Sequence, residues 1–405
     1  LVLSPDSAVG WAGAFPDNPF PQPVVLDWTG DGAQVAAGLL EGQLRQATRG
    51  FAQMRMAQLE LERPADAARL WSDLDGLTWR ELDGRERALC PSLLLAGDSA
   101  SLGGRGLGQL ARLLSSDLPM RVLILADLDL GLGGHAGLDL PPAPTQDAAI
   151  DLSLLTLSQR GAFIAQSCVA VPGHLASCLE GAFGHRGPAL VHLHAPSPAR
   201  HGFAPDLTLA RARAAVTARV FPLFRYDPNA EGVFGSRLDL DGNPDSIAPW
   251  ADNPQGAAAT PAHWALGEQR FAHLFFPLTE DAPQPTALAD YLALNDQQRR
   301  GRTPFVEQDS DTGEARRLLV DGRLLRVCAE RQQAWRMLQE LAGLVTPFTA
   351  RVQREAKERV AAEHQAELDA LEADYQHRLQ ALRARYQEDM RRDIRERLMV
   401  LAGYS

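Results

Sequence analysis

Cysteine is scarce: Cys90, Cys168, Cys178 and Cys328 are the only four in 405 residues. None forms a Cys-x-x-Cys pair, which excludes a disulfide framework and a zinc ribbon. The expected setting is a reducing, cytoplasmic one. No run of 18 apolar residues occurs, so no ordinary membrane-spanning helix is expected. No charged segment followed by a short apolar one opens the chain. It starts at Leu1, which reads as a processed product or a piece of a longer polypeptide. Positive charge is short as well, with 40 Lys+Arg against 51 Asp+Glu and a formal net charge of −11. A polyanion repels nucleic acid and anionic membrane surfaces, so neither is an expected partner. No repeat of 20–50 residues is visible. What is present, 45% hydrophobic and 22% charged residues, is the composition of an ordinary globular protein.

The texture changes along the chain. Residues 1–24 are rich in Pro and Asn and read as an extended lead-in. Further on, short apolar runs alternate with helical patterns. Ser92–Ala96, Arg121–Ala126 and Ala189–His194 read as strands. Ala33–Leu61, Leu107–Ser115, Leu152–Ala165, His174–Phe183 and Leu207–Val220 read as helices. This alternation predicts an α/β fold, a mostly parallel sheet with helices on both faces. The expected divisions are an α/β region over 1–245, a linker and small mixed region over 246–345, and a helical arm over 346–405.

That arm is the clearest local signal. Arg351–Leu398 contains neither Gly nor Pro and predicts one long helix. Its apolar positions Leu368, Leu371 and Tyr375 return eleven residues later as Leu379, Leu382 and Tyr386. Eleven residues in three turns is close to the pitch of a straight helix, so one apolar stripe runs along it. A stripe with charged flanks needs a surface to cover it, either the chain's own domain or another subunit.

The chemistry-bearing segment is 96–135. The strand Ser92–Ala96 runs into Gly97-Asp98-Ser99, and the next strand ends in Ala126-Asp127-Leu128-Asp129. The 29-residue step from Asp98 to Asp127 is one β-α-β crossover, so both carboxylates fall at the C-terminal edge of adjacent strands. Hard oxygen ligands there suit Mg²⁺ bridging a diphosphate. Ordinary strand-end turns account for the same residues.

The segment resembles the thiamine-diphosphate (TPP) domain of the pyruvate:ferredoxin oxidoreductase family. Gly97-Asp98-Ser99 is similar to that family's Gly-Asp-Gly, and Asp127–Gly134 to the segment that completes its magnesium site. Gly187–Gly202 and Phe221-Pro-Leu-Phe-Arg-Tyr-Asp-Pro228 resemble two later family motifs, in the same order. The resemblance covers about residues 1–245. It implies TPP and Mg²⁺, with Asp98, Asp127 and Asp129 on the metal and Gly97, Asp98, Ser99, Gly133 and Gly134 along the diphosphate. It departs at Leu132, where the family has a metal-binding Asn, and at Ser197, where the family has a cluster-ligating Cys. Serine supplies an iron–sulfur cluster poorly, so no such cluster is expected in this chain.

Other features have plainer readings. Thr29-Gly-Asp-Gly-Ala33 reads as a helix-start turn. Gly103-Gly-Arg-Gly-Leu-Gly108 resembles a dinucleotide fingerprint with the wrong spacing. His192 and His194 share a sheet face and, with His201, suggest metal ligands or a packed set. Cys168 and Cys178 read as buried small hydrophobes. Two functions follow. One is the TPP domain of a 2-oxoacid oxidoreductase working with other redox subunits. The other is a catalytically degenerate domain of the same fold that docks in a larger redox complex. Self-association through the long helix fits either.

Overall fold

A computed structural model describes residues 1–4, 23–62, 67–126, 128–132, 151–253, 256–309, 315–346 and 348–403. The chain forms two compact units, Leu1–Leu344 and Val345–Ser405. Residues 246–344 therefore belong to the same unit as 1–245.

The first unit is built on an eight-stranded sheet. Its strands are β1 (Val2–Leu3), β2 (Val25–Leu26), β3 (Leu93–Asp98), β4 (Met120–Ala126), β5 (Phe163–Cys168), β6 (Ala189–His194), β7 (Phe224–Tyr226) and β8 (Leu238–Asp239). Their spatial order is β2-β1-β3-β4-β6-β5-β7-β8. The first six are mutually parallel, and β7 and β8 add antiparallel partners at one edge. The expected α/β class and mostly parallel sheet are thus present.

Residue alternation on β5 shows why helices occupy both faces. Ile164 joins a core with Leu40, Leu95 and Ile124, to which the helix α1 (Gly32–Glu62) contributes Ala33 and Ala36. Its neighbours Phe163 and Ala165 point the other way and pack with Cys178 and Ala182. Strands covered on both sides carry near-continuous apolar runs, as Leu93–Ala96 does.

Two sequence expectations need correction, and the small mixed region takes a definite form. Val2–Leu3 is not a lead-in but a strand between β2 and β3. The helix expected over Leu152–Ala165 ends at Thr156, and Phe163 onward is the fully buried strand β5. The region after residue 266 holds a second sheet of its own: β9 (Phe275–Pro277), β10 (Pro285–Ala287), β11 (Thr303–Asp309) and β12 (Ala315–Val320), in the order β10-β11-β12-β9.

Four further helices of this unit bear on the site: α2 (Ser99–Gly103), α3 (Leu107–Leu114), α4 (Leu152–Thr156) and α5 (Gly322–Leu341). The second unit contains α6 (Thr349–Leu401), 53 residues in one helix. Its apolar stripe is exposed, with Leu371 at 70% and Leu382 at 68%. Among the described residues no helix is long and apolar enough to cross a membrane.

Candidate functional site

The register of four parallel strands brings polar groups together at their C-terminal ends. Asp98 is paired with Leu125, Ile124 with His192, and His192 with Gln166. A cavity of about 750 Å³ opens there. Ser99, Gly103 and Gly104 form one side, and the 128–132 loop another. Gln166, His192, Val220 and Phe221 line it further, and α5 contributes Arg323, Arg326 and Arg331.

His192 is the centre of a buried chain of hydrogen bonds. Gln166 donates its amide N–H to the Pro222 carbonyl at 2.8 Å, which turns Oε1 toward His192 Nδ1, 3.2 Å away. Nδ1 therefore carries the ring proton, shared with Ser153 Oγ at 2.7 Å. Nε2 lies 3.3 Å from Ser99 Oγ, whose hydroxyl donates to the Leu125 carbonyl at 3.2 Å. Burial pushes His192 down to about 4, opposed by the Asp151 carboxylate, so the ring is neutral at pH 7. His194, bonded to the Ala126 carbonyl at 3.5 Å, is pushed by burial to about 3. Both rings pack against Phe221, at 5.1 and 5.4 Å between centroids. These histidines form a packed, hydrogen-bonded pair. His201 is buried elsewhere, 3.7 Å from Glu268.

The loop after β4 is strained. Leu128 and Leu130 have φ of 55° and 57°, a region that costs a non-glycine residue about 1–3 kcal/mol and is concentrated at functional sites. Asp129 stabilises the turn by accepting the Gly131 N–H at 2.9 Å. From below, the buried Arg270 donates to the Leu128 carbonyl at 3.2 Å and pairs with Glu268 at 2.7 Å.

The sequence-predicted cofactor residues are distributed as follows. Ser99 and Asp129 line the cavity. Asp98 ends β3, is 4% exposed, and caps α2 by accepting the Ser101 N–H at 2.8 Å. Gly97 is a packing glycine, since a Cβ there would lie 2.9 Å from Ser4 Cβ and 3.1 Å from Leu102 Cδ1. Asp127, Gly133 and Gly134 lie outside the described residues. Leu132, 3% exposed, packs in an apolar cluster with Ala126, Val220 and Phe221.

Among the described residues Asp98 caps its own helix, Asp129 accepts within its own turn, and Leu132 presents an apolar side chain packed in a hydrophobic cluster. Among the described residues no group of three His, Cys, Asp or Glu side chains is placed to hold a metal ion.

The other expected features resolve simply. Gly103–Gly106 breaks the chain between α2 and α3, and the Gly104 N–H bonds back to Ala100 at 3.0 Å. The Gly30-Asp31-Gly32 turn leads into α1, with Gly30 at φ 84°. Cys168 and Cys178 are fully buried, and desolvation pushes each thiol up to about 11. The residues that sequence reasoning missed are Ser153, Gln166, Phe221 and the three arginines. Only the i, i+3 spacing of Arg323 and Arg326 on a helical stretch hinted at a shared face. No protein-family model matches the chain, and no curated protein matches it.

Proposed function

We propose that this chain is the TPP-domain-like part of a pyruvate:ferredoxin-oxidoreductase-like 2-oxoacid oxidoreductase, acting with other redox subunits. The observation that carries the reading is the cavity at the C-terminal ends of β3, β4 and β6. Open α/β sheets bind ligands at this edge. The resemblance of the Gly97-Asp98-Ser99 turn and of residues 187–202 and 221–228 to that family gives the ligand's identity. TPP would supply the decarboxylation chemistry. The chain's own contribution is an apolar wall at Val220 and Phe221, neutral His192 and Ser99 as hydrogen-bonding groups, and arginines at the rim.

A second reading, a catalytically degenerate docking domain, is favoured by the inward packing of Leu132 and the capping role of Asp98. Calorimetry separates the two. Saturable TPP binding at millimolar Mg²⁺ supports the oxidoreductase reading, and its complete absence leaves the docking domain. A Phe221→Ala protein, which shortens the apolar wall, is expected to bind TPP about tenfold more weakly.

A further inference from the structure

The mismatch at the metal site has a counterpart across the cavity. Helix α5 starts at Gly322, far in sequence from the strand ends, and contributes Arg323, Arg326 and Arg331 to the same cavity. Their situations differ. Arg331 is held by Asp151 at 3.4 Å and by Glu330 at 2.5 Å. Arg323 is tied at its Nε to Asp321 at 3.1 Å. Arg326 is exposed and has no hydrogen-bond or ion-pair partner among the described residues. Arg323 and Arg326 stand three residues apart, so they share one helix face.

We propose that Arg323 and Arg326 are the oxyanion-holding wall of this cavity. They bind the phosphate or carboxylate of an organic anion directly, without a divalent cation. A guanidinium presents paired N–H donors that match either oxyanion in a bidentate fork. It also neutralises the charge that magnesium otherwise offsets. Three carboxylates also line the cavity, and two of them, Asp151 and Glu330, are already engaged by Arg331, which leaves Arg323 and Arg326 to meet the anion. The apolar floor at Val220 and Phe221 accommodates the organic body. The inference rests on the oxidoreductase reading for the body of the ligand, but the anion contact stands on the arginines alone.

The test is calorimetry on the whole chain in EDTA and, separately, in millimolar Mg²⁺. The probes are TPP, inorganic pyrophosphate and pyruvate. The proteins are wild type, Arg326→Gln and the Arg323→Gln/Arg326→Gln double variant. The expected result is binding of TPP or pyrophosphate that survives EDTA. It is expected to weaken about tenfold in Arg326→Gln and more in the double variant. A response to pyruvate alone assigns the wall to a carboxylate instead of a phosphate. If pyrophosphate or pyruvate binds in an arginine-dependent way and TPP does not, the arginine wall stands and the TPP reading falls. If TPP binds only with Mg²⁺, or binds equally well to the double variant, the arginine wall is overturned and the TPP reading survives. If no probe binds wild type, both fall. Arg326 is exposed, so unchanged thermal melting of Arg326→Gln is the check that its fold is intact.

Discussion

His192 is hydrogen-bonded at both ring nitrogens, buried at the cavity wall, and neutral. His194 beside it is neutral for the same reason. In the unfolded chain both titrate near 6.5, the ordinary value for histidine. As pH falls, the unfolded state takes up protons first, so the native state loses stability. The contribution is complete above pH 6.5 and is lost as pH falls through about 4 for His192 and about 3 for His194. Urea midpoints are therefore expected to fall already between pH ~6.5 and ~5, above the range where ordinary carboxylates titrate. Flat midpoints across that interval would contradict the buried, neutral assignment. Sequence pattern placed His192 and His194 on one strand and one face, because alternation along a strand is a local property. It could not show Gln166 and Ser153, which reach His192 only through strand pairing and the position of α4.

At the scale of elements, legibility followed the strength of the local pattern. The strands β3, β4 and β6 announce themselves as apolar runs, and α1 and α6 as long stretches without proline. Strand β5 was hidden. Phe-Ile-Ala-Gln-Ser-Cys mixes apolar and polar residues, and the apolar spacing just before it suits a helix. Its burial comes from strands and helices on every side, which no window of sequence displays. The strand-end turn after β3 has its own test. Gly97→Ala would push a methyl group against Ser4 and Leu102, so it is expected to destabilise the first unit by about 1–3 kcal/mol. An unchanged melting temperature would show that β1 and α2 yield at no cost. The exposed stripe of α6 makes a separate statement. On the reading that the stripe pairs with a second copy of the chain, replacing Leu371 and Leu382 by Asp is expected to lower the mass measured by light scattering. The same mass in variant and wild type would rule that role out.

The whole first unit brings together residues that sequence separates widely. Arg326 and Ser99 line one cavity although more than two hundred positions lie between them. The sequence motifs showed one wall of the cleft because Gly97-Asp98-Ser99 follows a strand directly. The opposite wall stayed hidden because α5 reaches it only by tertiary packing. The cysteines bear on iron–sulfur binding at this scale. Cys168, Cys178 and Cys328 are fully buried, with thiols pushed up to about 11, 11 and 12, and Ser197 stands at the start of the Pro198–His201 helix. The purified chain is expected to lack the broad absorbance near ~400 nm given by thiolate-ligated iron–sulfur clusters. Stoichiometric iron with acid-labile sulfide would overturn that. The central claim, that the cavity at the strand ends is a TPP site, is tested most directly by the cofactor content of the protein itself. The chain is incubated with millimolar TPP and Mg²⁺, desalted and denatured, and the extract is quantified by mass spectrometry. The account expects about one TPP per chain, consistent with a single cleft site. An extract with no TPP would contradict it.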